Sequence, residues 1–153
     1  MQARATIALL AFALAGCVSA PPSGSLRASS IVIDHMVIPA ADEAGVEVAA
    51  YAGFDNRGDD DRLLGIECEC AQSVELHRVI RDEKGGRMEA DFPLALPGGV
   101  RTEVRPPGIP LHFMLIKTKR PFVVGERVPM RLRFERNGTV EAVFAVAATS
   151  KEG

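Results

Sequence analysis

Tryptophan is absent from the 153 residues, tyrosine occurs once and cysteine three times. With only 7 Phe besides, the core must be built mostly from Val, Leu, Ile and Ala. Three cysteines are too few for a disulfide-dense scaffold, and a domain of this size can bury a core without one. A charge excess of one sign is missing too. Lys+Arg 18 against Asp+Glu 20 leaves a formal −2, no footprint for nucleic acid or an anionic membrane surface. There is no Gly-x-Ser-x-Gly elbow and no phosphate-binding glycine loop leading into a helix, and histidine occurs three times, as His35, His77 and His112. The chain therefore reads as a non-enzyme. Asp59-Asp60-Asp61 lacks the rest of a calcium loop and its terminal Glu, and reads as a solvated turn.

No apolar run is long enough to span a bilayer. The N-terminal one, from Ala5 to Ala15 behind the single basic residue Arg4, has the shape of a secretory signal. Val18-Ser19-Ala20 would serve ordinary cleavage, but Leu14-Ala15-Gly16-Cys17 resembles the bacterial lipobox, in which Cys17 is lipidated and becomes the first mature residue. Residues 1–16 are then a lipoprotein signal, residues 17–29 a lipidated cysteine on a Pro/Ser/Gly tether, and the domain starts near Ser30 and runs to 150. Removing Met1–Gly16 takes away only Arg4, so 17 basic against 20 acidic residues gives −3. Several acyl chains would hold the protein stably at a membrane. The expected location is extracytoplasmic and lipid-anchored. In a Gram-negative source Val18-Ser19 lacks the Asp retention signal, favouring the periplasmic face of the outer membrane.

From Ser30 onward, short apolar runs alternate with turn residues. Strands are expected at Ile31–Val37, Val46–Phe54, Arg62–Ile66, Ser73–Arg81, Arg87–Asp91, Val100–Val104, Leu111–Lys117, Val128–Phe134 and Val140–Val146. The breaks are Asn56-Arg57-Gly58-Asp59, Lys84-Gly85-Gly86, Pro97-Gly98-Gly99, Pro106-Pro107-Gly108 and Asn137-Gly138, the last a hairpin signal. No segment has helical periodicity over ten residues and none repeats. Many short strands without crossover helices predict a single all-β domain, an antiparallel sandwich or barrel.

Chemistry gathers around Leu111-His112-Phe113-Met114-Leu115. Alternation turns Leu111, Phe113 and Leu115 to the core and sets His112 and Met114 together on the other face. An imidazole and a thioether suit Cu(I), and thioethers survive where paired thiols would oxidise. A lone His-x-Met is as well explained by a surface His and a packed Met. Two further donors sharpen the pattern. His77 points outward from a strand whose Val74 and Leu76 point inward, and Met88 lies past the Lys84-Gly85-Gly86 turn, so that a hairpin returns it towards His77.

His77, ten residues, Met88, 23 residues and His112-x-Met114 resemble the His-x10-Met-x21-His-x-Met signature of the PCuAC-type periplasmic copper chaperones. Ala50-Tyr51-Ala52-Gly53-Phe54-Asp55-Asn56, Val74-Glu75-Leu76-His77, Leu94-Ala95-Leu96-Pro97-Gly98-Gly99, and Lys119-Arg120-Pro121 followed by Gly125-Glu126 resemble the family as well, over roughly Ile31 to Val146. The resemblance implies a cupredoxin-like Greek-key β-sandwich that binds one Cu(I) through His77, Met88, His112 and Met114. It further implies delivery to the CuA subunit of cytochrome c oxidase or to a thiol copper-insertion protein. The chain departs from the pattern in the two extra residues before His112, in Arg78 where a Met sometimes stands, and in Asp34-His35-Met36-Val37 where a Trp and an Arg are usual.

Cys68-Glu69-Cys70 has no counterpart in that pattern, and three readings stand: a disulfide across one residue, a second soft-metal or redox site, or two reduced thiols. His35 and Met36 read as a surface His beside a packed Met, and Met130 as core. No Cys-loop-His-loop-Met run near the C-terminal hairpin supports a blue-copper electron carrier. The rival functions are a copper-storage or resistance lipoprotein enlisting Cys68, Cys70, His35 and Met36, and a metal-free envelope adaptor. The protein is expected to be a monomer.

Overall fold

Period-two alternation carries through to the structure. In Arg127–Phe134 every second residue is buried, and in Leu111–Ile116 buried and half-buried residues alternate without a break. The computed structural model describes residues 25–82, 85–105 and 111–148, and every regular element among them is a strand. These are β1 (Leu26–Ala28), β2 (Ile31–Pro39), β3 (Val48–Asn56), β4 (Asp61–Glu67), β5 (Ser73–Asp82), β6 (Gly85–Ala90), β7 (Leu94–Leu96), β8 (Arg101–Val104), β9 (Leu111–Ile116), β10 (Arg127–Phe134) and β11 (Thr139–Ala147). All nine expected strands are present, with ends shifted by a few residues. The signal 1–16, Cys17, Lys84 of the expected turn, and Pro106-Pro107-Gly108 lie outside the described residues.

Two short strands were not expected. β7 pairs with β4, and β1 pairs with β2, placing Leu26–Ala28 in the fold ahead of the boundary expected near Ser30. Ala28 is buried in the core, so even this segment has an apolar residue to pack. Three residues are too few for alternation to be legible, which is why the sequence pattern missed both strands.

The hydrogen-bonded path runs β6-β5-β9-β3-β2-β11-β10-β4-β7, with β8 beside β3 and β1 beside β2. Every pairing is antiparallel except β2 with β11, which is parallel, a departure from the all-antiparallel expectation. These strands come from opposite ends of the domain, so the intervening chain serves as the long connection that a parallel pair needs. β3 joins the two halves: Val48–Ala50 pair with β9, and Ala52–Asp55 with β8. The path curls so that its inner faces meet. Phe54 on β3 makes edge-to-face contacts with Phe113 on β9 (6.3 Å) and Phe134 on β10 (6.4 Å), which lie on opposite sides of it in the path. Met130 is in the core, as expected. The result is a cupredoxin-like sandwich.

The acidic run is not a solvated turn throughout. Asp61 is buried, and its carboxylate accepts the backbone N–H groups of Arg62, Arg136 and Asn137 and the Asn137 side-chain amide (2.6–3.1 Å). It thereby ties β4 to the β10–β11 hairpin. The hairpin signal at Asn137-Gly138 holds, but Gly138 alone takes a positive φ (+74°), so the connection is a longer loop shaped by Asp61 rather than a two-residue turn.

Candidate metal centre

β5 and β9 lie side by side, antiparallel, in a register that sets His77 directly opposite His112. On both strands the even-spaced apolar residues, Val74 and Leu76 on one and Leu111, Phe113 and Leu115 on the other, fill the core. That burial forces His77, His112 and Met114 onto the opposite face. The two rings stand edge to face with centroids 5.6 Å apart. Met114 is opposite Glu75 on β5 and Ala49 on β3.

Met88 comes from the neighbouring strand on the other side. In the β5–β6 ladder Val79 is opposite Met88 and His77 opposite Ala90, so Met88 shares the face of His77 one diagonal step away, about 7–8 Å along the sheet. It is 59% exposed. The four expected donors thus share one face of the β6-β5-β9 segment, with both imidazoles at its centre and a thioether on either side.

The polar atoms of the rings are unevenly satisfied. His77 Nε2 is 2.8 Å from the Glu75 carboxylate, two residues back on the same face. A carboxylate only accepts, so Nε2 carries the proton, and in the neutral ring Nδ1 carries the lone pair. His77 Nδ1 and His112 Nε2 are both buried without a hydrogen-bond partner. Buried imidazole nitrogens are ordinarily paired. Burial, followed by the neighbouring His77, lowers the pKa of His112 below the ordinary histidine value, so its lone pair stays free at neutral pH. Glu75 was not singled out in the sequence; the Glu-x-His spacing on a strand was the signal that could have found it.

Other expectations resolve differently. Cys68 and Cys70 form a disulfide with Cα atoms 5.1 Å apart, the first of their three readings. Met36 is buried and His35 exposed, as expected of a packed Met beside a surface His. His35 sits at a register shift in β2 with φ +50°, 3.1 Å from Asp34 and 3.2 Å from Arg101. Arg78 faces away from His77 and pairs with Asp91, so it does not enter the His/Met face. Among the described residues no three His, Cys, Asp or Glu side chains cluster to hold an ion.

Residues 31–146 match the family described as "Putative lipoprotein LpqE-like". A relative described as "Putative lipoprotein Lxx21020", from Leifsonia xyli subsp. xyli (strain CTCB07), is 26% identical over 140 residues, spanning 88% of this chain and 82% of its own. Among solved structures, the copper-bound PCuAC domain from PmoF2 superimposes with a TM-score of 0.69 at 26% identity, over 82% of this chain and 99% of that domain. CuI-DR1885 from Deinococcus radiodurans shares the fold at 23% identity, with a TM-score of 0.61 over 82% of each chain. The PCuAC-type resemblance read from the sequence therefore holds, and the chain belongs to the LpqE-like family, built on a PCuAC-type domain.

Proposed function

We propose that this protein is an extracytoplasmic, lipid-anchored Cu(I) carrier that binds one cuprous ion through His77, Met88, His112 and Met114 and hands it to an acceptor protein. The observation that carries the reading is the pair of buried, unpartnered imidazole nitrogens, His77 Nδ1 and His112 Nε2, on rings 5.6 Å apart beside a Met on each flank. Two neutral nitrogens and two thioethers form a soft donor set that favours Cu(I) over Cu(II). The copper-bound PmoF2 domain supports the choice of metal. Glu75 holds the His77 ring in one tautomer and supplies a nearby negative charge. The exposure of Met88 leaves one side of the site open to an approaching thiolate, which would displace the thioethers and draw the ion off by ligand exchange. A CuA subunit of cytochrome c oxidase or a thiol copper-insertion protein is the acceptor this chemistry suits. Lipidation at Cys17 would keep the carrier at the membrane where such acceptors reside.

A competitive titration against a Cu(I) chelator under reductant tests the reading. One equivalent should bind tightly, and His112→Ala or Met114→Ala should weaken binding far more than His35→Ala or Met36→Ala. Equal losses at all four positions would refute the ligand assignment. More than one equivalent would favour storage, and none at all a metal-free adaptor. The disulfide weighs against storage, because it removes the two thiols that such a role would enlist.

A further inference from the structure

The Cys68–Cys70 bond lies in the bend between β4 and β5 and opens onto a groove of about 840 Å³ whose lining includes none of His77, Met88, His112 and Met114. The groove is lined by Gln72, Lys119, Pro129 and Arg131 among others. Cys68 is half-buried and Cys70 is buried, so an attacking group from the groove reaches Cys68 first.

As a staple this bond is poorly placed. A disulfide stabilises chiefly by restricting the unfolded chain, an effect that grows with the loop it closes, and here the two cysteines are only two positions apart. The bend is also held without it. Lys119 N–H donates to Cys70 O (2.8 Å), Gln72 N–H donates to Ile116 O (2.9 Å), and the β4–β10 ladder extends to Glu67 opposite Arg131. One further contact is aimed at sulfur: Cys70 N–H points at Cys68 Sγ from 3.2 Å. A backbone donor at that distance stabilises a thiolate on Cys68 and makes it a better leaving group.

We propose that Cys68–Cys70 is a redox-active disulfide that exchanges with a protein dithiol docked in this groove, a function separate from copper carriage. A partner thiolate attacks Cys68 Sγ. The Cys68–Cys70 bond breaks, a mixed disulfide forms at Cys68, and Cys70 leaves as a thiolate that takes up a proton. The partner's second thiolate then attacks its own sulfur in the mixed disulfide and expels the Cys68 thiolate, which the Cys70 N–H stabilises. The partner loses two electrons and two protons and gains a disulfide. Cys68 and Cys70 gain both and become a dithiol.

The test incubates the native, oxidised full chain with a reduced, unstructured two-cysteine peptide, then labels thiols by alkylation and maps them by mass, so that Cys17 is read separately. One peptide disulfide should form per protein, with Cys68 and Cys70 both becoming labelled. Glutathione disulfide should add a single glutathione to the Cys70→Ser variant at Cys68, and none to folded Cys68→Ser at Cys70. The double Cys68→Ser/Cys70→Ser variant should keep its β-sheet circular dichroism and bind Cu(I) as the parent does. The proposal is overturned if the peptide stays reduced, if the pair becomes labelled only after denaturant is added, or if the double variant is unfolded.

Discussion

At the scale of single residues, Glu75 and His77 are bound into one device. Strand geometry sets them two apart on one face, and the carboxylate then decides which imidazole nitrogen keeps its lone pair free. Outer partners of this kind change metal affinity by about 10- to 100-fold. Glu75→Ala is expected to weaken Cu(I) by a factor in that range, and Glu75→Gln, which keeps an acceptor oxygen, by less. Nitrogen-15 NMR of the apo protein should show His77 protonated at Nε2 in the parent and a tautomer mixture in Glu75→Ala. Equal affinities in all three proteins would remove Glu75 from the site. The outward direction of the candidate donors was legible in the sequence, because alternation turns His77 on one strand and His112 and Met114 on another away from the core. Their mutual register was not, since it depends on which strands become neighbours.

At the scale of elements, the fold leans on buried polar anchors in its turns. Asp61 shows how burial and hydrogen bonding compete: burial alone would raise its pKa, but the donors from Asn137, Arg136 and Arg62 outweigh it and hold the carboxyl below its ordinary value. A depressed pKa in the folded state means stability that is present above the unfolded value, near 3.8, and is lost as pH falls through the folded one. Asp61→Asn should therefore flatten the acid limb of a plot of unfolding free energy against pH below about 4, while Asp61→Ala should cost about 1–3 kcal/mol at neutral pH. Urea unfolding across pH checks both. Gly98 marks a steric constraint in another turn, since a Cβ there would collide with the backbone carbonyl oxygen of Gly58. Gly98→Ala is expected to cost about 1–3 kcal/mol, read from the same unfolding curves. The sequence marked these turns by Asn, Asp and Gly. It could not mark Asp61 as an anchor between elements, because all of its donors but the adjacent Arg62 N–H lie some 75 positions away, on Arg136 and Asn137.

At the scale of the whole molecule, one sheet path curls until Phe54 touches both halves, and the disulfide groove shares no lining residue with the His/Met set. Strand identity was readable for nine elements because each carries its own alternation, whereas the parallel β2–β11 closure rests on contacts between the two ends of the domain. The proposed anchor adds a prediction at this scale. Cys17→Ser should release the protein from the membrane fraction and abolish incorporation of labelled fatty acid, and a variant still lipidated would contradict the anchor. The central claim is that two imidazoles and two thioethers gather on one ion. X-ray absorption at the copper edge, on Cu(I)-loaded protein with Cys68 and Cys70 both replaced by Ser, measures this most directly. Two nitrogen and two sulfur scatterers, with one sulfur lost in Met114→Leu, are predicted; a shell of nitrogen and oxygen alone would contradict it.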